Sequence, residues 1–156
     1  MSVQHFSIAV AGILLDSSNR VLLIHEAHGG RQYGVPGGLV EDYDAPDEAL
    51  EREFEAQTGV KVAVEHVVGV RYRVVGEQSY LVVAYRCRLV SGAARVTDYG
   101  DIDEVGWFET KSLPRPMSAS IEPAIVAASL GGKGMVFAED EGETRRRRVF
   151  RGRRDA

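Results

Sequence analysis

The stretch from His28 to Val40 constrains the fold most: it is rich in glycine and contains Pro36, so it propagates neither an α-helix nor a central strand. It reads as a loop. The runs before it, Phe6 to Leu15 and Arg20 to His25, are strand-like and are separated by the turn-forming Asp16-Ser17-Ser18-Asn19, which predicts a hairpin with a longish loop. After it the pattern becomes helical. Asp44 suits an N-cap, Pro46 falls in the first turn, where a missing N–H is harmless, and Ala49, Leu50 and Phe54 make an apolar stripe, predicting a helix from about Pro46 to Gln57. Gly59 is placed for a left-handed C-cap. Val60 to Arg73 and Ser79 to Leu89 read as strands joined by Gly76-Glu77-Gln78, and Glu104 to Phe108 as a shorter strand. Ser118 to Leu130 reads as a second helix, after Pro114 and Pro116.

At 156 residues the chain fits one domain, and its 44% apolar and 27% charged content is that of a soluble globular protein. No apolar run approaches the roughly 20 residues that cross a bilayer, and Met1 to His5 lack the opening of a secretory signal, so the expectation is no membrane partner and a cytoplasmic location. Cys87, the single cysteine, excludes an internal disulfide and a cysteine metal cage, and reads as a small core residue. The expected division is a domain over 1–135 and a charged C-terminal tail over 136–156. Residues 138–156 hold seven arginines against five acids, a local +2 in a chain of net charge −4. With Phe150 as the one aromatic among those arginines, and acids present to pair with them, nucleic acid is not the favoured partner.

On a helix, Glu53, Ala56 and Gln57 share a face. Arg52 flanks them, and Glu41 and Asp44 lie on the loop that feeds the helix. Gly37-Gly38 permits close backbone approach, and the helix N-terminus offers unpaired N–H groups, a combination suited to an anion. His25 and His28 lack the spacing of a helical ligand pair and read as non-ligands.

Gly37-Gly38-Leu39-Val40-Glu41-Asp42-Tyr43-Asp44-Ala45-Pro46-Asp47-Glu48-Ala49-Leu50-Glu51-Arg52-Glu53-Phe54-Glu55-Ala56-Gln57-Thr58-Gly59-Val60 resembles the Nudix box, G-x5-E-x7-R-E-U-x-E-E-x-G-U, where U is a bulky apolar residue. Gly38, Arg52, Glu53, Phe54, Gly59 and Val60 match, whereas Asp44, Ala56 and Gln57 depart. Tyr33-Gly34-Val35-Pro36-Gly37-Gly38 looks like the family's lead-in to the box, and Ile102 to Phe108 with Leu113-Pro114 looks like its usual late strand. The likeness spans roughly residues 5 to 130. It implies an α/β fold, an α/β/α sandwich around a mixed β-sheet.

The resemblance also implies hydrolysis of a nucleoside diphosphate linked to another moiety, by metal-assisted attack of water on phosphorus. Magnesium takes hard oxygen ligands shared between protein and phosphates, which is why such a box clusters carboxylates. Here Glu53 is the principal ligand or base, Arg52 orients the site, and Gln57, a Gly37 or Gly38 carbonyl and Asp44 are accessory metal donors. Glu104 and Asp101 are candidate acids from a later loop. Since Ala56 and Gln57 remove two anions, Mg²⁺ or Mn²⁺ is expected to be held weakly without substrate. Gly37, Gly38, Arg31, Arg71 and Tyr33 are the candidate substrate contacts, with Arg73 and Tyr72 as further possibilities. The alternative is a catalytically silent Nudix-fold nucleotide-binding or regulatory protein. A homodimer is left open, because many relatives are dimers.

Overall fold

The structure, a computed structural model, describes residues 6–137. The arginine-rich tail expected over 136–156 falls outside the described residues except for its first two, which are structured. In chain order the elements are β1 (Phe6–Leu14), β2 (Arg20–Glu26), β3 (Tyr33–Gly34), β4 (Gly37–Leu39), α1 (Pro46–Thr58), β5 (Lys61–Val75), β6 (Gln78–Ser91), β7 (Ile102–Glu109), α2 (Glu122–Ser129) and β8 (Met135–Val136). They form a mixed five-stranded sheet, β4-β1-β6-β5-β8, and a three-stranded sheet, β3-β2-β7.

Period-two alternation along β1 explains the layering. Val10 and Leu14 turn to a core that contains Leu50 and Phe54 of α1. Ala11 and Ile13 turn the other way, to a core that contains Ala124, Ile125 and Ala128 of α2. β2 splits likewise, with Leu22 in the first core and Val21 and Leu23 in the second. Each strand is therefore apolar on both faces because each face is covered, giving the α/β class and mixed sheet expected.

The predicted β1–β2 hairpin is corrected. The connecting turn is tight, with the Asp16 carboxylate accepting from the Ser18 and Arg20 amides at 2.9 and 2.8 Å and from Arg20 Nε at 2.7 Å. Beyond the Leu15–Val21 bridge, however, the strands separate into different sheets. A strand has two hydrogen-bonding edges, and those of β1 are taken by β6, parallel, and by β4, antiparallel. The segment read as one loop also proves to contain β3 and β4. Pro36 is tolerated because it lies between them and so never has to donate within a ladder.

Both helix starts differ from expectation. Ala45, not Asp44, is the N-cap of α1, without a side-chain cap bond, although Pro46 does occupy the first turn and Gly59 does close the helix at φ 74°. α2 begins at Glu122 rather than Ser118. A helix beginning at Ser118 would require Pro123 to donate to the Ala119 carbonyl, and proline has no N–H. That carbonyl and the one of Ser120 instead accept from Arg71 Nη1 at 3.1 and 3.3 Å.

α1 meets β1 where there is no side chain to intervene. A Cβ on Gly12 would lie 2.8 Å from Phe54 Cδ2 and 3.2 Å from Leu50 Cδ1. Overfilling a packed core costs about 1–3 kcal/mol, so Gly12→Val is expected to lower stability by that amount in equilibrium urea unfolding. An unchanged midpoint would mean that the helix does not seat here.

Candidate active site

The site begins with a glycine strap. Gly37, Gly38 and Leu39 pair antiparallel with Ala11, Val10 and Ala9, and the strap is framed by Gly12 N donating to Pro36 O at 2.8 Å and Val40 N donating to Ile8 O at 2.9 Å. A Cβ on Gly37 would overlap the Val10 carbonyl oxygen. Only glycine lets the strap lie this close to β1.

With Leu50 and Phe54 buried against β1, helical geometry turns Glu53 and Gln57 toward the strap. Glu53 Cγ and Oε2 lie 3.8 and 3.9 Å from where a Gly38 Cβ would stand. Gln57 Nε2 donates to Gly37 O at 2.8 Å and to Glu53 Oε2 at 3.2 Å, while its Oε1 accepts from Gly37 N at 3.2 Å. Ala56, the third member of the face, is exposed, and its carbonyl accepts from the Thr97 hydroxyl at 2.7 Å. Two residues before Glu53, Glu51 Oε1 accepts from Val64 N at 3.0 Å, at an irregularity in the β5–β6 ladder. Arg52 pairs with Asp44 at 2.7 Å, so Asp44 anchors the entry loop to the helix instead of capping it.

Gly37 and Gly38 also border a cleft of about 340 Å³, whose wall includes Glu26, Arg73, Ser118 and Ser120. A second hollow of about 260 Å³ shares Gly38 and Arg73 and adds the apolar surfaces of Leu39, Val75 and Tyr80. The cleft sets its few polar side chains among apolar ones such as Ile24, Val35 and Val82, as small-molecule sites commonly do, and the hollow beside it is mostly apolar. Glu53 is not on the wall of either hollow, but its carboxylate faces the place that a side chain on Gly38, which borders both, would take.

This glycine-bordered arrangement belongs to a known architecture. The family model described as NUDIX domain matches residues 5–128. The chain belongs to the Nudix hydrolase family. It is 25% identical over 137 residues to a MutT-like protein of Streptomyces ambofaciens, covering 88% of this chain and 85% of that protein. Over 55 residues it is 34% identical to an 8-oxo-dGTP diphosphatase of Proteus vulgaris, a stretch covering 33% of this chain and 49% of that protein. The crystal structure of a MutT NUDIX hydrolase from Burkholderia pseudomallei superposes with a TM-score of 0.71 at 22% identity, covering 79% of this chain and 98% of that one, and supports the fold.

Within this Nudix domain the box residues Glu53 and Gln57 meet at the strap, whereas the outlying candidates do not join them. Arg71, expected at the substrate, is 5% exposed and holds the turn before α2. Two residues on, Arg73 is the arginine that lines the cleft. Both side chains share a strand face, and depth along the strand, which alternation does not reveal, separates them. Arg31, Tyr33 and Glu104 belong to a separate network on the three-stranded sheet. Tyr33 donates to Glu104 Oε2 at 2.7 Å, its ring 4.5 Å from that of His25. His25 Nδ1 lies 2.6 Å from Asp103 Oδ1, and Arg31 Nη2 donates to Asp103 Oδ2 at 3.4 Å. Asp101 contributes its backbone carbonyl to Ala27 N at 2.9 Å. Among the described residues, no three His, Cys, Asp or Glu side chains are grouped to share a metal ion, so Glu53, Asp44 and Glu104 are not brought together as a ligand set. Ser118, Ser120 and Glu26 were missed as cleft residues, since no motif marks them.

The hydrogen bond to Glu104, followed by partial burial, raises the Tyr33 phenol above its ordinary value. The fold therefore favours the neutral phenol, a contribution present below the ordinary phenol pKa and lost as pH rises through the raised one. In an absorbance titration of tyrosinate, Glu104→Ala is expected to move one transition to lower pH. Superimposable curves would dismiss the contact.

Proposed function

We propose that the protein is a pyrophosphohydrolase of the Nudix type, acting on a nucleoside diphosphate linked to another moiety. The observation that carries this reading is the Glu53 carboxylate facing the place left open by the absent side chain of Gly38, the glycine common to the two hollows. The diphosphate lies along the strap at Gly38, the glycine that borders both hollows, and Arg73 of the cleft wall balances its charge. Leu39, Val75 and Tyr80 receive the apolar portion of the ligand. Glu53 holds the attacking water and accepts its proton at a carboxylate oxygen. The new bond forms from water oxygen to phosphorus, and the bond from phosphorus to the bridging oxygen breaks.

The donor set suits a cation that arrives with phosphate oxygens of its own. Glu53, the Gly37 carbonyl and Gln57 Oε1 are hard oxygen donors, yet they carry a single negative charge, too little for tight residence. Bound with substrate, Mg²⁺ or Mn²⁺ would neutralise phosphate oxygens and make phosphorus more electrophilic. The second reading, a nucleotide-binding or regulatory protein without turnover, is favoured by one observation. Gln57 Nε2 occupies the space between Glu53 and Gly37 O that such a cation needs.

A panel of nucleoside triphosphates, nucleotide sugars, ADP-ribose and dinucleoside polyphosphates with Mg²⁺ or Mn²⁺ separates the two. The hydrolase reading expects turnover of at least one compound, lowered about 10–100-fold or more in Glu53→Gln, since even changes behind the ligands commonly cost that much. Turnover untouched by Glu53→Gln would refute the assignment of Glu53. Binding without turnover in the wild type would establish the second reading.

A further inference from the structure

We infer that the Gln57 carboxamide itself ties the Glu53 carboxylate to the Gly37 carbonyl in the ligand-free protein, a link that a glutamate at this position could make only with the help of a cation or a proton. The geometry admits one orientation of the amide. Nε2 stands 3.2 Å from Glu53 Oε2 and 2.8 Å from Gly37 O, both acceptors, and Oε1 stands 3.2 Å from the Gly37 N–H, a donor. Turning the amide over would set its oxygen against two acceptors and its NH₂ against a donor, so all three contacts select the same assignment.

A glutamate in the same place has no N–H to offer. One of its oxygens would keep the Gly37 N–H, but the other, in place of Nε2, would face the Glu53 carboxylate and the Gly37 carbonyl, both acceptors, and like charges held this close disfavour each other unless a cation or proton intervenes. The neutral carboxamide removes that requirement. Gln57 is thus a positioning residue that aligns the strap and the helix without metal, and a cation carried in on phosphates has to turn the amide aside. This goes beyond the proposed hydrolysis and holds whether or not the protein turns over a substrate.

The test is thermal unfolding in EDTA and in Mn²⁺, with Mn²⁺ binding followed by electron paramagnetic resonance, all without nucleotide, on the full chain and on Gln57→Glu and Gln57→Ala. The wild type is expected to melt at the same temperature in EDTA and in Mn²⁺. Gln57→Glu should melt roughly 2–6 °C lower in EDTA, the shift ordinary for losing one such interaction in a domain of this size, and recover when Mn²⁺ is added. It should also bind Mn²⁺ about 10–100-fold more tightly than the wild type. Gln57→Ala should melt lower in both conditions, because it lacks the bridge and offers no ligand. Stabilisation of the wild type by Mn²⁺ matching that of Gln57→Glu, or a Gln57→Glu melting point equal to that of the wild type in EDTA, would overturn the inference. Should Gln57→Glu fail to fold, Mn²⁺ binding to the wild type decides: a bound signal overturns the inference, and its absence, together with a Gln57→Ala defect that Mn²⁺ does not repair, supports it.

Discussion

The close approach of the Gly37–Leu39 strap to β1 is the constraint on which the site depends. A strand lying this near a neighbour, with a carbonyl oxygen where its Cβ would be, is open only to glycine. Once the strap is laid down, its Gly37 N–H and C=O point at the helix, and Gln57 satisfies both. An edge strand of three residues would otherwise present these groups unpaired, and burying them so costs free energy. The strap is held from one side by a ladder and from the other by a single side chain.

The helix that carries that side chain answers to two demands at once. Its inner face, Ala49, Leu50, Phe54 and Thr58, is buried, which fixes its rotation about its own axis. That rotation leaves little freedom to Glu53 and Gln57, because residues one turn apart share a face. The apolar stripe thus sets the position of the polar pair. Glu51 and Arg52 steady the helix in other directions, through the β5 backbone and the entry loop respectively. Against this fixed frame the departures at positions 56 and 57 act chemically rather than architecturally. Ala56 faces solvent and Gln57 keeps a hydrogen-bonding side chain of nearly the same shape as glutamate, so the fold is retained while the charge at the site falls.

Much of this was legible in the residues. Pro46 and Gly59 mark the ends of α1 within a residue or so, and the apolar period marks its buried face, because these signals act locally. The meeting of Glu53 with the glycine pair followed from the spacing of the box. Strand pairing was less legible: the turn at Asp16 to Asn19 looks the same whether its strands stay together or part, and competition for the two edges of β1 is a property of the whole sheet. Asp44 looked like a cap because its type and place suit one, but Arg52, two helical turns on, attracts its carboxylate. The start of α2 was missed by passing over Pro123. Arg71 and Arg73 are indistinguishable by alternation, and only the depth of each along β5 shows which one reaches the cleft.

The central claim, that Glu53 is held at the glycine strap through the carboxamide of Gln57, is tested most directly by nuclear magnetic resonance of ¹⁵N-labelled protein in EDTA. The account predicts a resolved pair of Gln57 side-chain NH₂ resonances, protected from exchange and showing nuclear Overhauser effects to Gly37 and Gly38. An averaged, solvent-like NH₂ signal without contacts to the strap would contradict it.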